Sequence, residues 1–265
     1  MPSYVVAGAS RGLGLEFVVQ LSKKADNTVF ALARNPDNSK GLQDLKKLPN
    51  VHIIKADITN APALRAAADA VAKATGGSLD VLINNAAIMN PATNFIHLDE
   101  YPSDQALIDD FHNNFDTNLL GPVLTTNIFI PLILKGKLKK VLTISTGVSD
   151  PGFINKAQWW WAPAYCITKA GLQMSTVKYA IKYKKEGVIF LNVSPGVVNT
   201  AEAPPPAEFI PKIQEMAGAF AKIAPHWKGP IETPDSVEAV LGVLDRATID
   251  DSGSFVSHHG NQEWL

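Results

Sequence analysis

The chain begins with the stretch Tyr4-Val5-Val6-Ala7-Gly8-Ala9-Ser10-Arg11-Gly12-Leu13-Gly14. Residues 4–8 form a short apolar run of strand type, and residues 13–24 carry apolar side chains at helical spacing. Between them the glycines fall as Gly-x3-Gly-x-Gly. Glycine at the first position permits a sharp strand-to-helix turn, and the second lets backbone approach a pyrophosphate. The third lets the helix pack against the strand. The helix amino terminus behind the turn offers unpaired N–H groups and a partial positive charge, as phosphates require. An ordinary glycine turn is the plainer alternative; the placement between a strand and a helix weighs against it.

Working outward, the same alternation continues. Strand-like runs recur at 28–33, 51–56, 79–84, 139–146 and 188–193, and a short one closes the chain at 253–257. Helix-period segments fill the spaces at 61–74, 103–134, 163–185 and 234–246. The strands are nearly continuous apolar runs, as a parallel sheet covered on both faces demands. Strand–helix alternation throughout predicts one doubly wound α/β domain over residues 1–265, a Rossmann fold with a mostly parallel seven-stranded sheet. The least regular stretches, 150–163 and 201–211, follow carboxyl ends of strands, where ligands bind in such sheets.

Bulk properties narrow the function. A net charge of −1 provides no basic field for a polyanion, so no nucleic acid is expected. No segment carries a dense basic patch; the closest, Lys135, Lys137, Lys139 and Lys140, reads as the solvated end of a helix. The apolar stretches fall short of the ~18 residues of a membrane span. The first strand begins too early for a signal peptide. Cys166 stands alone and can form neither an intrachain disulfide nor a cysteine-based zinc site. A soluble cytoplasmic protein is the expectation.

A dinucleotide site usually places an acid about 20 residues beyond the last glycine, to bind a ribose 2′-hydroxyl. Here that position holds Arg34, with no acid beside it. A guanidinium favours a 2′-phosphate, and Arg11 in the turn could reinforce it, so the cofactor expected is NADP(H). A second constellation is Tyr165-Cys166-Ile167-Thr168-Lys169. Four residues apart on a helix, the phenol and the ammonium share a face. A nearby cation favours phenolate and is expected to pull the phenol's pKa down from about 10.

Together these motifs carry a resemblance. The glycine turn, Asn84-Asn85-Ala86-Ala87, Asn118, the hydroxyls after the fifth strand, Tyr165/Lys169 and Pro195-Gly196 occur in the order seen in the short-chain dehydrogenase/reductase family. Within it, the chain is most similar to the carbonyl-reductase and sniffer-like branch, including the closing Gly253…Gly260…Trp264.

The resemblance implies NADPH-dependent reduction of a ketone or aldehyde, with Tyr165 giving the proton and Lys169 holding the nicotinamide ribose. It implies that Asn118 anchors a water feeding Lys169. Gly8, Ser10, Arg11, Gly12, Leu13, Gly14, Arg34, Asp57, Ile58, Asn85 and Ala86 would line the adenosine and phosphate side. Pro195, Gly196, Val198 and Thr200 would hold the carboxamide. The family's substrate-orienting serine falls on Thr146 when counted from the last apolar residue of the fifth strand, with Ser145 the other candidate. Two departures are Ala7 for the usual Thr, at a cost of about 1 kcal/mol in turn support, and Ala87 for the usual Gly. Family members are often homodimers or homotetramers, and this branch includes monomers.

On the substrate side, Phe153, Trp159, Trp160, Trp161 and Pro163 precede Tyr165, which points to an apolar or aromatic small-molecule carbonyl. Core or interface packing is the alternative for one or two of the tryptophans. A cover is expected over about 198–226, stiffened by Pro204-Pro205-Pro206 and helical over 209–224. His258 and His259 are expected to point apart, so no metal site is read from them. Two other functions compete: an NADP(H) sensor or scaffold without turnover, which has no use for the Tyr165 acid, and a sugar-nucleotide epimerase, which needs a larger carboxy-terminal region.

Overall fold

The computed structural model describes residues 1–200 and 204–265. Seven strands form one sheet: β1 (Ser3–Ala7), β2 (Thr28–Ala33), β3 (Val51–Lys55), β4 (Val81–Asn84), β5 (Lys140–Ile144), β6 (Ile189–Ser194) and β9 (Phe255–Ser257). Their order is β3-β2-β1-β4-β5-β6-β9, and every neighbouring pair is parallel. The order reverses between β1 and β4, which opens a crevice at their carboxyl ends, and the glycine turn lies there.

Alternate residues of the strands feed two cores. Val6, Val29, Leu142 and Leu191 face α1 (Gly12–Ser22), α2 (Lys40–Leu45) and α9 (Thr233–Arg246), where Phe17 and Val240 meet them. Val5, Phe30, Leu82 and Phe190 face α3 (Ala61–Thr75), α5 (Gly121–Ile133) and α7 (Pro163–Lys182), with Phe129 and Leu64 between. Each fully buried large apolar side chain contributes roughly 1.5–3 kcal/mol. Helix ends follow local chemistry: Asn60 caps α3, and Gly76 closes it in the left-handed conformation.

A third core lies beyond the carboxyl ends of β5 and β6. There α6 (Pro151–Ala157) and α8 (Ile210–Ile223) contribute Phe153 and Phe220, which pack with Trp264 and Leu265. The excursion carrying α8 leaves from β7 (Val198–Asn199) and returns at β8 (Ile231–Glu232), a parallel pair that pins its two ends together. The segment expected as a cover over about 198–226 lies within this excursion; its residues 201–203 lie outside the described ones.

Two expectations need correction. The segment read as one helix over 103–134 is α4 (Asp104–Asn114) and α5 joined by a π-helical turn, Phe115–Leu120. Apolar spacing runs through this turn unbroken, so periodicity does not mark it. His258 and His259 do not point apart: beyond β9 the chain turns, and their ring centroids lie 3.8 Å from each other. No group of three His, Cys, Asp or Glu side chains gathers as a metal site among the described residues.

Candidate active site

The cofactor side is built from backbone. Gly8 has φ +83°, and a Cβ there would fall 2.6 Å from the Cα of Ala86. A Cβ on Gly14 would lie 2.0 Å from the Gly8 carbonyl oxygen and 2.5 Å from Asn85 Nδ2. The Asn85 amide donates to that same carbonyl at 2.9 Å, and the N–H of Ala86 donates to Ala7 at 2.9 Å. The turn after β4 thereby seats on the turn after β1. Arg11 precedes α1 without a side-chain cap, and no acid stands in the first turn, so the N–H groups of Gly12, Leu13 and Gly14 meet no capping side chain. Thr200 faces Gly12 across the cradle. The Ser10 carbonyl accepts from Ser39 Oγ.

Arg11 and Arg34 are exposed and form no ion pair among the described residues. Asp57, after β3, accepts at Oδ1 from the N–H and hydroxyl of Thr59 at 2.9 and 2.8 Å. Ile58 packs against Gly121 at the start of α5. On the other flank, Pro195 accepts from Ser236 Oγ at 2.7 Å, and Gly196 has φ +85°. His258 fills the hollow left by Gly196: a Cβ there would lie 2.9 Å from its Cε1. Burial, with His259 adding to it, pulls His258 down to about 4, which keeps the ring neutral.

The catalytic candidates converge at the start of α7. Ala162, left-handed at φ +54°, turns the chain so that Pro163 opens the helix. Lys169 is buried and donates to the Ile144 carbonyl at 2.8 Å. Its ammonium lies 5.9 Å from the centroid of the Tyr165 ring. Burial pulls Lys169 down to about 8. The Thr146 hydroxyl sits beside the Tyr165 phenol and favours its ionised form, yet burial works in the other direction and wins, so the phenol's pKa is raised. The lowering expected from Lys169 is absent: burial, and after it the neighbouring Cys166 thiol, raise the phenol's pKa. Ser145 is buried, turned towards α7, and accepts from Gln173 at 3.4 Å. Cys166 is buried and its thiol is pushed up to about 12, a poor nucleophile.

Asn118 lies in the π-helical turn. Its Nδ2 donates to Ile88 O at 2.9 Å and to Asn114 Oδ1 at 2.8 Å, while Oδ1 accepts from Ile88 N at 2.8 Å. Both amide protons are therefore committed to protein, and π turns of this kind gather at functional positions.

The flank facing α8 is built from side chains. Trp161 is buried and meets Phe95 edge-on at 5.2 Å between centroids, while Phe95 meets Phe209 at 5.2 Å. Trp159 packs on Trp161 and Phe220, and Trp160 is partly exposed beside His97. Lys212 of α8 donates to the Phe95 carbonyl at 3.0 Å and lies over its ring. Behind Thr146, Gly147 lies against Trp264. Sequence reasoning missed Phe95, Lys212, the packing of His258 on Gly196 and the partners of Asn118. They are brought in by contacts between distant segments, and no local spacing marks them.

The family model for the short chain dehydrogenases matches residues 3–207. The chain belongs to that family. As a short-chain dehydrogenase it sits among oxidoreductases that bind nicotinamide cofactors. It is 41% identical to the short chain dehydrogenase virK of Hypocrea virens and 39% identical to the short-chain dehydrogenase/reductase AacuF of Aspergillus aculeatus, with all of each chain covered. The NADPH-bound carbonyl reductase from chicken fatty liver superposes with a TM-score of 0.77 at 25% identity, over 98% of both chains. The carbonyl reductase Sniffer of D. melanogaster shares the fold, with a TM-score of 0.79 at 20% identity over 98% of both chains. No helix among the described residues of this short-chain dehydrogenase is long and apolar enough to cross a membrane.

Proposed function

We propose that the chain reduces a ketone or aldehyde to an alcohol with NADPH, Tyr165 delivering the proton. The observation that carries this reading is the joint placement of the Tyr165 and Thr146 hydroxyls with the buried Lys169 ammonium, at the carboxyl end of β5. The residues fit a dinucleotide: a cradle that a Cβ at Gly8 or Gly14 would fill, uncapped N–H groups on α1, and exposed guanidiniums at Arg11 and Arg34. Bound there, NADPH would supply the hydride.

Arg34 and Arg11 would hold the 2′-phosphate, and the free carboxylate oxygen of Asp57 would accept from the adenine amino group beside Ile58. Asn85 and Ala86 would line the adenosine side. On the nicotinamide side, Pro195, Gly196, the backbone of Val198 and the Thr200 hydroxyl would receive the carboxamide. Lys169 spends one proton on Ile144 and keeps two for the ribose hydroxyls. Thr146 would orient the substrate oxygen, and Ser145 would support it from behind through Gln173. A raised phenol pKa keeps Tyr165 protonated at neutral pH, the state a proton donor must occupy. Since both side-chain protons of Asn118 are committed, any water it anchors for Lys169 would donate to one of its oxygens rather than accept from its amide. The wall of Phe95, Trp161 and Phe209 favours an apolar, aromatic carbonyl substrate.

Tyr165→Phe tests the reading. Removing a general acid should lower kcat about 10²–10⁴-fold. The affinity for NADPH, measured by titration calorimetry, should change little. Undiminished turnover would end the assignment.

A further inference from the structure

One buried carboxylate outside the Tyr165 constellation has no place in the reaction described so far. Asp110, on α4, is buried and has no cationic partner among the described residues. Three neutral donors satisfy it: Tyr101 OH on Oδ2 at 2.8 Å, and Asn90 Nδ2 and Asn114 Nδ2 on Oδ1 at 3.2 and 3.1 Å. Burying a charge is expensive unless such bonds hold it, so the three donors are strongly constrained in turn.

Two of the bonds run to the loop between β4 and α4, through Asn90 and Tyr101, and Phe95 of the aromatic wall lies between these anchors. The third runs along the helix. Asn114 sits four residues on from Asp110, and Asn118 four beyond that. Asn114 passes the constraint on by accepting from Asn118, which clamps both polar groups of the Ile88 backbone. At the far end of the loop, Lys212 of α8 bonds the Phe95 carbonyl.

We propose that Asp110 is a positioning residue that sets the amide of Asn118 through Asn114, and the substrate-wall loop carrying Phe95 through Asn90 and Tyr101. One carboxylate thereby ties the order of the substrate wall to the alignment of the group behind Lys169. The inference rests on the reductase reading for its kinetic consequences and on hydrogen bonds alone for its structural ones.

The test uses the full chain with Asp110→Asn, Asn114→Leu and Tyr101→Phe. Kinetics are measured with NADPH and two probes, benzaldehyde and a polycyclic aromatic ketone. Asn114→Leu should lower kcat about tenfold for both probes, with cofactor affinity kept within about twofold. Tyr101→Phe should raise KM for the ketone about threefold more than for the aldehyde. Asp110→Asn should show both effects. Combined with Asn114→Leu it should lower kcat no further than the worse single change, because both act through Asn118. A folded Asp110→Asn with parental kcat, or multiplicative losses in the pair, would overturn the proposal.

Amide exchange at Ile88 gives a readout independent of turnover. It should accelerate about tenfold in Asp110→Asn and Asn114→Leu. Unchanged protection overturns the coupling even if the parent chain reduces neither probe, an outcome that would count against the reductase reading instead. Should Asp110→Asn fail to fold, Asn114→Leu and Tyr101→Phe decide by the same criteria.

Discussion

Across the cleft the two walls are made of different material. On the cofactor side, main chain lies on main chain, and Gly8 and Gly14 leave no room for even one more carbon. On the side proposed for the substrate, the surface is a set of aromatic rings from three distant segments, joined by one edge-on and one tilted contact and by one lysine latch. A backbone surface reads a ligand common to many enzymes and tolerates almost no change. Ring packing can be re-cut one side chain at a time, which is how one fold serves many carbonyls.

The contrast predicts a gradient of sensitivity. Gly14→Ala should have the largest effect, since its methyl collides with the Gly8 carbonyl oxygen. We expect about 1–3 kcal/mol of lost stability in a denaturant titration, and calorimetry should find no measurable cofactor binding. Retained binding would show that the cradle yields as readily as the aromatic wall. Next, Arg34→Asp should move the ratio of kcat/KM for NADPH over NADH by about 10–100-fold towards NADH. An unmoved ratio would remove Arg34 from the 2′-phosphate.

On the other wall, Trp161→Ala should raise KM for a polycyclic aromatic ketone about tenfold while moving benzaldehyde less. Equal losses for both would mean that Trp161 serves folding and leaves selectivity alone. The smallest effect comes from pH. Lys169 loses its proton through about 8, so kcat/KM for reduction should fall as pH rises past that value. Stability should move oppositely in that window. Unfolded, the lysine keeps its proton up to 10.5, so the unfolded chain binds more protons there and the lysine's contribution favours the fold as pH rises. A rate falling with an undiminished melting temperature would separate the two; parallel losses would assign the limb to unfolding.

The same contrast explains what could be read in advance. The glycine turn, Arg34 at the end of β2, and Tyr165 with Lys169 one helical turn away are local arrangements, set by residues close in sequence. Strand alternation likewise puts Thr146 and Ser145 on opposite faces, and left the choice of the substrate-orienting hydroxyl between them open. The π-helical turn was hidden because its apolar spacing satisfies a continuous helix. Phe95 and Lys212 are 117 residues apart, and only the folded chain joins them. The phenol pKa was misjudged because the helical spacing of Tyr165 and Lys169 counts a charge and is blind to the desolvation that burial adds.

All five tryptophans of the chain, at 159, 160, 161, 227 and 264, lie beyond β5, on the aromatic side. Excited selectively, the indole emission of the protein therefore comes from that side of the molecule, and the glycine cradle contributes none. Reduced nicotinamide absorbs where indoles emit, so docking of the coenzyme would quench this light by energy transfer. A carbonyl compound settling among the rings would shift its colour. The fold thus carries its own optical gauge, in which the two ligands leave separate marks on one spectrum.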